Sequence, residues 1–141
     1  MTRMLKTLMG ASAMSLIAAV AHAGSTEDTR AVIDHHLAAF EAKDLEAMLS
    51  DYTDETVIFF PGAKLVGAEQ MRPFAEQFFA EFSAEGSHFT IHEMQIDGNL
   101  AYYNWTAESP NAVYELGSDT LIVEDGKIVS QTVVMKVVPK Q

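Results

Sequence analysis

The sequence predicts an α+β fold in which three N-terminal helices pack on a strongly bent, mainly antiparallel sheet. Two observations carry this expectation. Apolar residues recur at helical spacing as far as about residue 82 and alternate after it, and the alternating runs are separated by short turns rich in Gly, Asp, Asn and Pro. A chain of 141 residues without internal repeats or low-complexity tracts is expected to form one domain.

The opening segment is set apart from the fold. Arg3 and Lys6 precede an apolar run from Leu8 to Val20, and Ala21-His22-Ala23 supplies small residues at cleavage positions. Residues 1–23 are therefore expected to be a signal peptide cleaved after Ala23, which places the protein in the periplasm or outside the cell. The apolar run is shorter than the roughly 18 to 20 residues that span a bilayer.

Ser25 and Asp28 form a capping-box start for a first helix over about 27–42, with Val32, Ile33, Leu37 and Phe40 at helical spacing. Asp44 suits the N-cap of a second helix whose Leu45, Met48, Leu49 and Tyr52 make one stripe, ending near Tyr52. The run TVIFF reads as a strand stopped by Pro61-Gly62, with a turn continuing from Lys64 to Gly67. Met71, Phe74, Phe78 and Phe82 mark a third helix over 68–82, in which Pro73 either limits the first turn or introduces a kink. Four strands follow, HFTIHEMQI, LAYYNWTA, VYELGSDTLIV and KIVSQTVVMKVV, and their short connections imply antiparallel neighbours. Helices facing such a sheet leave a space that side chains or a ligand must fill.

Charge and composition exclude several functions. The formal net charge is −11, and the leader removes two basic residues and no acidic one, so phosphate-rich nucleic acid and anionic lipid surfaces are unsuitable partners. Absence of cysteine excludes disulfides, thiolate catalysis and Cys-ligated metal. No phosphate loop, nucleophile elbow or HExxH motif is present. His88 and His92 share a strand face but lie roughly 13 Å apart, too far to hold one ion. Neither metal nor cofactor is expected.

On a helical wheel His36 falls in the apolar arc and His35 on the opposite side, so His36 points inward, either as a hydrogen-bonded core residue or as the polar tip of an apolar pocket. Strand alternation places Tyr103 with Trp105 on one face and Tyr102 with Asn104 on the other. It also places Glu115, Gly117 and Asp119 on a common face, inward or outward. Asp51, Asp54 and Glu55 read as a solvated acidic turn.

These pieces resemble the SnoaL-like branch of the nuclear transport factor 2-like superfamily, which includes ketosteroid isomerases and polyketide cyclases. The resemblance rests on the order of FEAKDLEAMLSDYTDETVIFFPG, KLVGAEQMRPF and SDTLIVEDGKIVSQ, and it spans residues 29 to 138. It implies a SnoaL-like domain over 24–141, shaped as a cone-like barrel (the cystatin-like fold), with a deep apolar pocket and frequent homodimerisation through the sheet. It also implies that His36 stands where ketosteroid isomerases carry an oxyanion-hole tyrosine and that Asp119 stands near their second oxyanion-hole acid. Their general base, an aspartate before the proline, is replaced by Phe60, which accepts no proton.

Three readings follow. The domain binds a small hydrophobic or aromatic molecule through Phe40, Tyr52, Phe60, Phe78, Tyr103, Trp105, Glu115 and Met135. Or it is an isomerase, cyclase or lyase using His36 and Asp119 for acid-base or oxyanion chemistry, with Glu115 as a possible base. Or it is an interaction module that dimerises through the outer sheet face around Tyr102 and Asn104, which is compatible with either of the others.

Overall fold

The computed structural model describes residues 24–141; the expected signal peptide lies outside the described residues. Helix α1 (Thr26–Ala42) begins at Ser25, whose Oγ accepts from the Asp28 backbone while the Asp28 carboxylate accepts from the Ser25 backbone, the reciprocal bonds of a capping box. It ends where Lys43 turns left-handed, at φ 56°. Thr29, Ile33, His36 and Ala39 form its buried stripe.

Helix α2 (Leu45–Ser50) is capped by Asp44, which accepts from the Ala47 backbone at 3.0 Å. It ends two residues earlier than its apolar spacing suggests. The backbone carbonyl of Asp51 accepts from Ile128 at 2.8 Å, which draws the chain beside the last strand, so Tyr52 opens β1 (Tyr52–Phe60) instead of closing the helix. After the Pro61-Gly62 tip the chain returns as β2 (Ala63–Val66), a short antiparallel strand where the sequence suggested only a turn. Helix α3 (Ala68–Phe82) continues through Pro73 and buries Met71, Ala75, Phe79 and Phe82, leaving Phe74 and Phe78 half-buried.

The remaining strands are β3 (His88–Asp97), β4 (Leu100–Glu108), β5 (Ala112–Glu124) and β6 (Lys127–Pro139). They build a six-stranded sheet of order β2-β1-β6-β5-β4-β3, antiparallel except where β1 runs parallel to β6. Register shifts in the β3/β4, β4/β5 and β5/β6 pairings are the bulges that curve a sheet. The curved sheet stays open, and the helices lie against its concave face. Ile33, Ile58, Leu121 and Ile128, each fully buried, bind the two layers.

One bulge decides which side chains enter the hollow. Tyr114 pairs with Val137 and Leu116 with Lys136, so Glu115 is an extra residue on β5. Tyr114, Gly117 and Asp119 therefore face inward, whereas Glu115 is exposed and ion-paired with Lys136. The expectation that Glu115 shares the site with Asp119 is corrected by this interruption of the two-residue period.

Candidate functional site

A narrow cavity of ≈ 70 Å³ lies between α1, α3 and the sheet, with Phe40, Phe60, Phe78, Phe82, Phe89 and Trp105 among its walls and His36, Asp119 and Gln131 as its polar groups. His36 and Asp119, each 5% exposed, thus border one internal space, and the inward reading of both residues is the observed one.

Helix α1 carries His36 into the cavity wall, and the end of α2 holds it there. Nδ1 of His36 lies 3.1 Å from Oδ2 of Asp51, while Oδ1 of the same carboxylate is 2.7 Å from Nδ1 of His35. Asp51 is only 6% exposed, so it does not belong to the solvated acidic turn that the sequence suggested; two imidazoles enclose it. In the tautomer that donates from Nδ1 to the Asp51 carboxyl group, His36 presents Nε2 as an acceptor at the cavity end. Tyr52, packed edge-on against His36 with ring centroids 5.3 Å apart, brings its hydroxyl to 3.4 Å from Nε2.

A directed chain of hydrogen bonds continues across the sheet. The Tyr52 hydroxyl donates to Oε1 of Gln131 at 2.6 Å, and Nε2 of Gln131 donates to Oδ1 of Asp119 at 2.8 Å. The indole Nε1 of Trp105 donates to Oδ2 at 2.7 Å, and the Tyr103 hydroxyl also hydrogen-bonds the carboxyl. Burial pushes the Asp119 pKa above the usual carboxylate value; the bonds from Trp105 and Gln131, the nearby His36 and the Tyr103 bond oppose that shift only in part. Burial, reinforced by the Asp119 and Asp51 charges, keeps the Tyr52 hydroxyl protonated, and burial with Asp119 does the same for Tyr103. The polar end of the cavity therefore combines a carboxylate-oriented imidazole with a carboxyl biased toward its neutral form, the pairing that proton transfer or polarisation of an oxygen requires.

Of the residues expected to line the site, Phe40, Phe60, Phe78, Tyr103 and Trp105 do so. Tyr52 is not among the lining residues and acts through its hydroxyl, between His36 Nε2 and Gln131, and Met135 borders a separate external recess. Glu115 reaches neither. Asp51 and Gln131 were not anticipated. His88 faces Glu108 at 3.7 Å and His92 lies 2.7 Å from Thr106, so each histidine of β3 has its own partner. Among the described residues no group of three or more His, Asp or Glu side chains is arranged to hold a metal ion, and no helix is long and apolar enough to cross a membrane.

Helices closing a curved, open sheet over a cavity with one polar end define an NTF2-like α+β protein. The SnoaL-like domain model matches residues 33–131, and the chain belongs to that family, as its sequence resemblance implied. No curated protein matches the sequence. Solved structures agree on the fold. A protein from Kribbella flavida DSM 17836, proposed to be a ketosteroid isomerase, is 15% identical with a TM-score of 0.66, covering 82% of each chain. A protein of unknown function with a cystatin-like fold from Methylobium petroleophilum PM1 is 21% identical (TM-score 0.65, covering 85% of this chain and 82% of that one). The epoxide hydrolase/cyclase-like enzyme SalBIII, linked to pyran ring formation in the polyether salinomycin, is 15% identical (TM-score 0.65, covering 78% and 92%).

Proposed function

We propose that the protein binds a small, largely apolar or aromatic molecule in the cavity, with a hydroxyl or carbonyl oxygen of that molecule placed at His36. The observation that carries this reading is the orientation of His36: Asp51 occupies its Nδ1, and its Nε2 stands at the one polar end of an aromatic-walled space. Trp105, the only tryptophan of the sequence, borders that space and reports on its occupancy. Titration of Trp105 fluorescence with 4-methylphenol and with toluene is expected to give tighter binding of the phenol. His36→Phe, which keeps bulk but removes both ring nitrogens, is expected to weaken phenol binding about tenfold, equivalent to about 1.4 kcal/mol, and to leave toluene binding nearly unchanged. No saturable response to phenols, aromatic carbonyls or sterols, in fluorescence or in thermal shift, would refute the proposal.

The Asp51–His36 pair favours a second reading, a proton-transferring enzyme for isomerisation, cyclisation or elimination. In that reading His36 Nε2 takes a proton from carbon beside a substrate carbonyl, Asp51 holds the imidazole, and protonated Asp119 donates a hydrogen bond to the developing oxyanion. Deuterium exchange into enolisable aryl ketones, followed by NMR, is the assay. Exchange no faster than in buffer, or exchange undiminished by His36→Phe, removes this reading.

We also propose that the mature protein is exported and forms a homodimer through the outer sheet face. Its support is the leader-like composition of residues 1–23 and a convex surface that exposes Phe59, Leu116 and Val134 beside Tyr102 and Asn104. Material recovered from the periplasm or medium is expected to begin at Gly24 by intact mass and to scatter light as a dimer. A retained leader overturns the first part, and a monomer at high micromolar concentration overturns the second.

A further inference from the structure

The cavity is small for the role proposed above. Its ≈ 70 Å³ lies well under the roughly 300 to 1,000 Å³ of common small-molecule sites. Two of its aromatic walls are shared, however. Phe60 and Phe78 also line an external recess of ≈ 390 Å³ whose far side is formed by Met135 and Val137. These two rings, whose centroids are 6.5 Å apart, thus border both spaces.

We propose that cavity and recess form one binding site for an elongated amphiphile, whose single oxygen function lies at His36 and whose hydrocarbon tail passes between Phe60 and Phe78 onto Met135 and Val137. This deepens the binding reading above and rests on it.

Three features select this route. The recess is mostly apolar: besides Gln77 its polar lining includes one carboxylate, Glu81, which already accepts from the Ser109 hydroxyl at 2.5 Å. Its contact surface includes Val137, which is 40% exposed and gains by being covered. Within the partition Phe78 also stacks on Phe82, at 6.2 Å, whereas the ring contacts of Phe60 are to α3 alone. Phe60 is the last residue of β1, its ring stacks on Phe74 and Phe78 of α3, and Pro61-Gly62 turns away immediately after it, with Gly62 at φ +80° and no atom near its missing side chain.

A second external recess shares Leu37, Phe40, Phe82 and Phe89 with the cavity, but it suits a hydrocarbon tail less well. Asp34, Glu41, Lys43 and His88 line it, and Phe40 is fixed by Phe79, Phe82, Phe89 and the Lys43 ammonium at centroid distances of 5.0 to 6.3 Å.

The test uses phenol and its 4-ethyl, 4-butyl, 4-hexyl and 4-octyl homologues, with dissociation constants measured by calorimetry on the mature protein. Affinity is expected to rise by up to about fourfold per buried methylene until the tail reaches Val137. Val137→Asp is expected to flatten this rise for the longer homologues, and Ile91→Asp, beside the second recess, is expected not to. Affinity independent of chain length, affinity falling beyond 4-ethylphenol, or a rise abolished by Ile91→Asp and not by Val137→Asp overturns the proposal. Phenol separates the two levels: its failure to bind counts against the cavity reading, and its binding without a gain from the tail counts against the joined site alone.

Discussion

Gly117→Ala is expected to lower stability by about 3 kcal/mol or more, read as a fall in the urea midpoint at unchanged slope. Gly117 pairs with Trp105 across β4 and β5, and a Cβ added there would lie 2.0 Å from Cε2 of the indole and 2.3 Å from Cδ2 and Cζ2. The indole is held on its other sides and can withdraw only toward the cavity that it borders. Phe89 lies 4.9 Å away and Tyr114 6.0 Å away by ring centroids, and Nε1 is committed to Asp119. Either the two strands separate or the ring leaves its seat, and the second outcome strands a buried carboxyl oxygen, which by itself costs about 1 to 3 kcal/mol. Trp105 emission distinguishes these responses, since only expulsion of the ring shifts it strongly to the red. A loss below about 1 kcal/mol would mean that the indole is not locked against this glycine.

That packing has a functional side. The glycine lets the indole lie flat on β5, and the flat indole directs its N–H at Asp119. A mutation on the sheet therefore reaches the cavity's polar end through one ring, and Gly117→Ala is expected to weaken phenol binding even in the fraction that stays folded.

The helical half of the fold was legible because its signals are local. The Ser25/Asp28 capping box, Asp44 as an N-cap and the end of α3 at Phe82 depend on nearby residues and have the structural counterparts their spacing implies, although α3 buries Ala75 and Phe79 more fully than the Phe74 and Phe78 of the expected stripe. Strand β2 was not legible. Four residues directly after Pro61-Gly62 are too few to show alternation, and they become a strand only because β1 offers a partner edge. Glu115 was misplaced because counting by twos assumes an unbroken ladder, and a bulge is set by the pairing of distant strands.

Asp51 illustrates a signal that was present and could have been weighed differently. Three acids within five residues look like a solvated turn, but Asp51 also follows the last residue of a helix, where the negative end of the helix dipole disfavours a carboxylate. Such a placement calls for compensation, and adjacent His35 and His36 on the preceding helix supply it. Gln131 gave a weaker sign, an amide among the valines of β6. Its importance lies in linking Tyr52 to Asp119, two residues that only the folded sheet brings together.

The direction of that link makes Asp119→Asn the most informative single change in the cavity. Trp105 can only donate, so the new side chain keeps its oxygen toward the indole and turns its NH2 toward Gln131. Gln131 answers by rotating its amide, presenting Oε1 to the new NH2 and its own NH2 to Tyr52. The Tyr52 hydrogen, no longer needed by Gln131, then turns to His36 Nε2, 3.4 Å away, and occupies the acceptor on which ligand binding depends. Phenol affinity is expected to fall about tenfold or more while the fold survives. Stability supplies an independent readout. Folding raises the Asp119 pKa above its ordinary 3.8, so the carboxyl's contribution is complete below that value and declines as pH rises through the folded pKa. The amide does not titrate. The melting temperature of Asp119→Asn relative to the native protein is therefore expected to climb as pH rises from 3.8 and to level off once the folded carboxyl has ionised. A difference that stays constant with pH would show that Asp119 ionises normally, and unchanged phenol affinity would show that the Tyr52 hydrogen does not control His36.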